Sequence, residues 1–278
     1  MVKHFDLIVG TSTGGIISLG LACEIPAREI LSLYKKRGDR IFPPPATGCS
    51  GVLQWIFGPK YETNDLKSIL EEIFPNRRFT KIEHNVAITS FDASSAKPVV
   101  FKTSYHPSLT AHRDLSVVEV ALATSAAPTY FAAAHTDCGV MIDGGIWANC
   151  PVMVGVTEAL SLFRCKISDI VILSIGTTYI PEFVQRNARE GGLLDWARPA
   201  PSLLMHAAKL GAIEEAKKLC RELVRIDVAV YPDRFDMDDI RQVDDLTQLG
   251  WSCGREFWKK VQPLFFANRP KAEKQKRA

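Results

Sequence analysis

The chain has 278 residues, 46% of them hydrophobic and 23% charged, with 34 basic against 31 acidic side chains and a formal net charge of +3. That size supports one large domain with a sizeable buried core, and the near-balanced charge excludes a chain organised around nucleic-acid binding. Eighteen glycines and 16 prolines exclude a fibrous or largely disordered polymer.

Seven cysteines stand at Cys23, Cys49, Cys138, Cys150, Cys165, Cys220 and Cys253, with no C-x-x-C pair. An odd, scattered set argues against a disulfide framework or a zinc site. The thiols are expected to be reduced, in a cytoplasmic setting with at most peripheral contact to membranes. No cofactor or metal is expected. The uncharged run Leu7–Cys23 is too short for a membrane span and carries Gly10, Gly14 and Gly15 in its middle. It reads as a buried strand followed by a helix, so no transmembrane segment is expected.

Phe5–Val9 is a short apolar run suited to a strand buried on both faces. Helices are expected at Ile16–Cys23 and Ala27–Arg37, and another after Asn64 as N-cap, with Leu66, Ile69, Leu70 and Ile73 on one stripe. Strands follow at Val86–Phe91 and Val99–Thr103. Ser116 is placed to cap a helix through Thr124, with Glu119 completing a capping box. Met141-Ile142 ends a short strand, a helix follows Pro151, and Ile170–Ile175 reads as a buried strand. A long helix is expected over Ser202–Leu223, a strand over Ile226–Val230 and a last helix over Leu246–Val261. Strands alternating with helices predict an α/β domain: a three-layer sandwich with a mainly parallel central sheet flanked by helices. The domain is expected to span residues 1–265, with residues 266–278 a basic, disordered tail.

Two stretches carry chemistry. Gly10-Thr11-Ser12-Thr13-Gly14 is a G-x-S-x-G pentad between a strand and a helix, the setting of a nucleophile elbow. The sharp turn demands small neighbours, which Gly10 and Gly14 supply. The helix that follows aims its N-terminal N–H groups at the serine hydroxyl, with the Thr13 N–H as the natural first oxyanion donor. A glycine-rich strand-to-helix turn also builds nucleotide sites, but neither G-x-G-x-x-G nor a P-loop lysine is present.

A hydroxyl nucleophile needs a base. The six histidines (His4, His84, His106, His112, His135, His206) lie in no motif. Asp143-Gly144-Gly145 follows the apolar Val140-Met141-Ile142, so its carboxylate is expected at a strand end. Gly144 and Gly145 allow a tight turn and a close approach of chain. Such a carboxylate can take the serine proton directly if it is partly desolvated. Asp-Gly is equally a plain turn signal, and by itself that is the better reading.

Phe5–Leu21 (FDLIVGTSTGGIISLGL), Ala121–Phe131 (ALATSAAPTYF) and Met141–Val152 (MIDGGIWANCPV) together resemble, in order and spacing, the patatin-like phospholipase family. The resemblance implies a metal-free Ser–Asp dyad hydrolysing acyl esters of lipids, with Ser12 as nucleophile and Asp143 as base. It also implies a lipid substrate at a membrane or micelle surface. The family's D-G-G-G-x-R/K-G segment, which supplies oxyanion N–H groups upstream of the nucleophile, has no counterpart here. The domain is therefore expected to lack the first βα unit, and an inactive module with an interaction or regulatory role is the alternative reading. A Ser–His enzyme using His106, His112 or His135 is a further one. Pro43–Lys60, with Trp55 and Phe57, has the composition of a lid or of a loop over buried aromatics. The acidic run Asp233–Asp239 lacks calcium-loop spacing.

Overall fold

A computed structural model describes residues 2–43, 58–180, 192, 195–196, 200–231, 234–236 and 238–267. The 44–57 part of the expected lid, with Trp55 and Phe57, lies outside the described residues, as does the basic run from residue 268 on.

The elements alternate as the sequence suggests. Strand β1 (Ile8–Thr11) leads into helix α1 (Thr13–Ala22), then α2 (Ala27–Ile41) and α3 (Thr63–Ile73). A hairpin of β2 (Val86–Asp92) and β3 (Lys97–Lys102) precedes α4 (Val117–Ser125). A second hairpin, β4 (Ala134–Thr136) and β5 (Gly139–Asp143), precedes the short α5 (Gly145–Ala148) and α6 (Val152–Leu162). Strand β6 (Val171–Ile175), α7 (Ala200–Leu219), β7 (Glu222–Ile226) and α8 (Val243–Val261) follow, and α8 ends in a π-helical turn over Gln262–Phe266.

Helices flank a five-stranded sheet of mixed pairing, β1 to β5, and β6 and β7 form a separate two-stranded sheet. β1 runs parallel to β2, and β6 parallel to β7; β3 and β5 run antiparallel to β2, and β4 antiparallel to β5. The antiparallel β2–β3 and β4–β5 pairs come from connections too short for the crossover that a parallel pair requires. Register fixes who sits where. Ala87–Thr89 face β1 and β3 at once, whereas Ser90–Asp92 face β3 and β5 at once. A strand has two edges, so β3 takes one edge of β2, and β1 and β5 divide the other end to end.

The main core forms between this sheet and α1, α3 and α4. Leu19, Phe74, Phe79, Val86, Ile88, Phe101, Val117, Val120 and Met141 are all essentially buried there. α1 is apolar on nearly every side, the pattern of a helix packed all round. A Cβ on Gly20 would sit 2.7 Å from Ile30 Cδ1, so α2 packs closely against α1 at that glycine. α4 starts with the expected capping box: Glu119 N–H donates to Ser116 Oγ at 3.1 Å, and Ser116 N–H donates to Glu119 Oε2 at 2.7 Å.

Three local expectations differ. α3 begins one residue before Asn64, after Glu62, and no side chain caps it. The helix expected over Ser202–Leu223 stops at Leu219, because Arg221 N–H donates to the Ile170 carbonyl and draws the chain into pairing with β6. β7 therefore occupies Glu222–Ile226, ahead of the expected strand. Among the described residues, six cysteines are free thiols, and no helix is long and apolar enough to cross a membrane.

Candidate active site

Ser12 stands at the junction of β1 and α1 with φ 55° and ψ −132°, a left-handed conformation that a side chain tolerates only when its surroundings impose it. The imposing contacts are visible. A Cβ on Gly10 would lie 2.5 Å from the Gly14 carbonyl oxygen, 2.5 Å from Ser18 Oγ and 2.7 Å from Gly15 Cα, so the strand passes flush under the helix it feeds. Gly15 is packed as tightly, with Thr124 Cγ2 2.8 Å from where its Cβ would be. Gly14 is different: nothing lies within 4 Å of an added Cβ. The expectation that Gly10 and Gly14 serve the turn alike is corrected. Gly10 and Gly15 make the close approaches, and Gly14 faces open space at the mouth of the site.

The backbone of the elbow is clamped by threonines. Ser12 N–H donates to Thr124 Oγ1 at 2.9 Å, and the Thr124 hydroxyl donates to the Thr89 carbonyl at 2.7 Å. One residue earlier, Thr11 Oγ1 lies 2.6 Å from Thr89 Oγ1 and donates to the Ala148 carbonyl at 2.7 Å. These are buried hydroxyls with their bonding capacity used, which ties β1, β2, α4 and α5 into one rigid unit.

Asp143 reaches the same place from the other direction. Thr11 pairs with Thr89 and Asp143 with Ser90, on one edge of β2. Their strands run toward each other, so the carboxyl ends of β1 and β5 meet head-on. The Ser12 side chain lies near enough to the Asp143 carboxylate to lower its pKa. Asp143 is only 5% exposed, and its Oδ1 accepts from Gly145 N–H at 2.7 Å. Burial raises its pKa above the ordinary carboxylate value, and Ser12 and the bond from Gly145 pull it part of the way back. Gly144 allows the bend itself, since a Cβ there would stand 2.6 Å from both the Thr89 carbonyl carbon and oxygen. Asp143 N–H donates to the Ala126 carbonyl at 2.9 Å, which moors the strand end to the loop after α4.

Thr13 and Gly14 are exposed at the first turn of α1. Their N–H groups belong to the helix N-terminus, where amides lack intrahelical acceptors. They open with Ser12 and Asp143 onto a cavity of about 2120 Å³. Of the histidines weighed from sequence, none touches Ser12. His112 Nδ1 accepts from Lys102 N–H and its ring packs on Phe101, His106 bonds Ser108, and His135 is exposed on β4.

The family model for patatin-like phospholipases matches residues 1–156. The chain belongs to the patatin-like phospholipase family. A cGAMP-activated phospholipase of Pseudomonas aeruginosa is 38% identical over 208 residues, covering 70% of this chain and 61% of that protein. One of Vibrio cholerae is 37% identical over 63% of this chain and 53% of its own length. The patatin-like protein 3 of Arabidopsis thaliana is 30% identical over 70% of this chain and 55% of that one. This patatin-like chain thus spans between half and two thirds of the curated relatives it matches.

The sequence did not point to Thr11, Thr89, Thr124 and Gly15. The available signal was polar residues inside otherwise apolar segments: Thr89 and Ser90 within a strand buried along most of its length, and Thr124-Ser125 at the end of an apolar helix. Buried hydroxyls of this kind need partners, and Thr124 finds one in the Ser12 N–H of the elbow.

Proposed function

We propose that this protein is a serine lipid acyl hydrolase that cleaves carboxylic esters of phospholipids or related acyl lipids through an acyl-Ser12 intermediate. The supporting observation is the head-on meeting of β1 and β5, which pairs a strained, half-buried hydroxyl with a desolvated carboxylate at the edge of a large cavity. In this reading Asp143 accepts the Ser12 proton as Oγ attacks the ester carbonyl. The tetrahedral oxyanion is received by the Thr13 N–H at the start of α1. Collapse expels the lysolipid or alcohol, which takes the proton from Asp143. Water then gives a proton to Asp143 and attacks the acyl-serine, and collapse frees the fatty acid as Ser12 Oγ takes that proton back from Asp143.

Domain organisation enters the same proposal. β1 pairs only with β2 and β6 only with β7 among the described residues. Consecutive residues Val171–Ile175 of β6 line the cavity, as do Leu7, Val9, Gly10 and Thr11. Successive side chains point to opposite faces, so a cavity lined by consecutive residues faces a strand edge. We place the glycine-rich oxyanion unit of the family in this space, as a strand between β1 and β6. The same open edges favour the second reading, an inactive module used for interaction.

The test is turnover of a phospholipid and of a short-chain ester by the purified chain, with fluorophosphonate labelling of Ser12. Ser12→Ala and Asp143→Asn are expected to remain folded and inactive. Turnover retained in either variant overturns the dyad, and a folded wild-type chain that neither turns over ester nor takes the label supports the module reading. The bacterial relatives are named as cGAMP-activated. Activation of this chain by cGAMP rests on that similarity alone and is read by adding cGAMP to the same assay.

A further inference from the structure

Two stretches that the sequence singles out and the dyad does not use meet in the fold: the loop after α4, within Ala121–Phe131, and the acidic run Asp233–Asp239, through Asp238. The loop turns at Pro128 and Thr129, where Tyr130 N–H donates to the Ala127 carbonyl at 3.0 Å. Thr129 holds φ at 73°. The third residue of such a turn is ordinarily glycine or asparagine, because a left-handed backbone crowds a Cβ. Of the non-glycine residues described with positive φ, Thr129 alone is β-branched, the side-chain type that this conformation strains most. Glycine would serve the turn at lower cost. Strained residues persist only where their surroundings over-determine them, and they gather at binding and catalytic sites.

The surroundings of Thr129 act on it from behind. Lys60 N–H donates to the Thr129 carbonyl at 2.9 Å, and Tyr61 N–H donates to the Tyr130 carbonyl at 2.9 Å. The side chains of the same two residues close on Asp238: the Lys60 ammonium pairs with its carboxylate, and Tyr61 Oη donates to Oδ2 at 2.5 Å. The Lys60 ammonium also stands 5.3 Å from the Tyr61 ring centroid and 5.6 Å from that of Tyr130, within cation–π range. The Tyr61 ring is buried among Phe42, Tyr130 and Phe131. Asp238 is held by its own segment, since Ile240 Cγ2 lies 3.0 Å from where a Gly38 Cβ would stand and so seats the chain on α2.

The front of the turn is open. Pro128 and Thr129 are exposed and line the cavity onto which Ser12 opens. Ala126, three residues before Thr129, supplies the carbonyl that holds Asp143 N–H at 2.9 Å, so the turn grows directly from the mooring of the carboxylate. We propose that Thr129 is a specificity-determining residue whose hydroxyl bonds the alcohol half of the ester, and that Asp238 positions it by acting through Lys60 and Tyr61. An ester held at Ser12 has an apolar acyl half and an alcohol half. A hydroxyl on a water-exposed rim suits an alcohol with oxygen atoms of its own, whereas an acyl chain gains by leaving water. The inference rests on the hydrolase reading and adds to it the group that reads the alcohol.

The purified chain is assayed with two soluble esters of one acid, glyceryl monobutyrate and ethyl butyrate, so that the acyl half is constant. Wild type is expected to prefer the glyceryl ester in kcat/KM by about fivefold, as one hydrogen bond provides. Thr129→Val and Thr129→Gly are expected to remove that preference, and Thr129→Ser to keep it. Thr129→Gly is also expected to unfold in urea at the same or a higher midpoint, because it relieves the turn. Loss of a merely structural residue does not give that combination. Asp238→Ala is expected to remove the preference as well, since the turn is then free to relax. A preference kept in Asp238→Ala but lost in Thr129→Val overturns the part played by Asp238. A preference kept in Thr129→Val, or a Thr129→Gly protein less stable than wild type, overturns the role of Thr129. Wild type that turns over neither ester fails the hydrolase reading and this inference with it, whereas wild type that turns over both without preference overturns this inference alone.

Discussion

The two glycines of the G-x-S-x-G pentad look equivalent in sequence, and the structure separates them. At Gly10 an added Cβ meets two backbone atoms, the Gly14 carbonyl oxygen at 2.5 Å and Gly15 Cα at 2.7 Å, besides Ser18 Oγ at 2.5 Å. Backbone cannot swing aside as a side chain can, so Gly10→Ala must push β1 away from α1. Overpacking of this kind costs about 1–3 kcal/mol, and the displaced elbow carries Ser12 out of reach of Asp143. At Gly14 the Cβ meets nothing within 4 Å, and the residue sits in the first turn of α1 without a left-handed φ. Gly14→Ala is expected to stabilise the fold by about 0.4–1 kcal/mol, by reducing the freedom of the unfolded chain. The two alanine variants should therefore differ by about 1.5–4 kcal/mol. Urea unfolding of both measures this, provided m is unchanged so that midpoints compare directly. Fluorophosphonate labelling in parallel should be lost in Gly10→Ala and kept in Gly14→Ala. Equal destabilisation by the two substitutions would refute the reasoning, because it would mean that the elbow is not set by the contacts under Gly10.

Four further outcomes follow from the site and its supports. Asp143 must be ionised to act as a base, and burial raises its pKa; the acid limb of kcat/KM should therefore lie above the ordinary carboxylate range, with activity lost as pH falls through it, and a limb at or below pH 3.8 contradicts this. The same raised pKa means that this group's contribution to the fold is fully present below its unfolded pKa and is lost as pH rises through the folded one. Asp143→Asn at pH 7 should then be at least as stable as wild type by thermal melting. Thr124→Val leaves the Ser12 N–H without its acceptor and should cost about 1–3 kcal/mol in urea unfolding, whereas Thr124→Ser should recover the polar part; a serine variant no better than valine removes Thr124 from the elbow's support. Glu158, 8% exposed in its side chain, accepts from Lys102 Nζ at 2.6 Å and Tyr105 Oη at 2.8 Å. Lys102→Met should cost about 3 kcal/mol by stranding that carboxylate, and Glu158→Gln added to it should recover much of the loss.

What was legible in the sequence was what depends on local rules. The capping box at Ser116 and Glu119 is a four-residue device, and it forms as written. The strand-to-helix passage around Ser12 was visible because its glycines and apolar flanks are contiguous. Elements decided by distant partners were less visible. Residues 220–223 continue the helical pattern of α7, yet the Ile170 carbonyl takes the Arg221 N–H, and pairing with β6 overrides local preference. The short β4 has too few residues to show a period and exists because Ala134–Thr136 pair with Gly139–Met141 across a tight turn. The mixed pairing of the sheet was hidden for the same reason, since strand direction is a property of connections more than of composition.

The site makes one demand that exceeds all of these. Ser12 and Asp143 are brought together by register, not by any element they share. If β5 slipped by one residue along β2, Asp143 would turn to the opposite face of the sheet and Ile142 would take its place beside the elbow. Three fasteners act against that slip. Ser90 Oγ donates to both the Ile142 carbonyl, at 2.8 Å, and the Ala123 carbonyl, at 3.0 Å, which locks β2 to β5 and to α4 at one level. Trp147 Nε1 donates to the Ser90 carbonyl at 2.9 Å, so the helix after Asp143 grips the residue that Asp143 faces. Asp143 N–H is held by the Ala126 carbonyl. All three converge on the pair Ser90–Asp143, and none involves an atom expected to react. The buried serine opposite the carboxylate thus has a physical role that its hydroxyl alone would not suggest: it fixes the register that gives the carboxylate its partner.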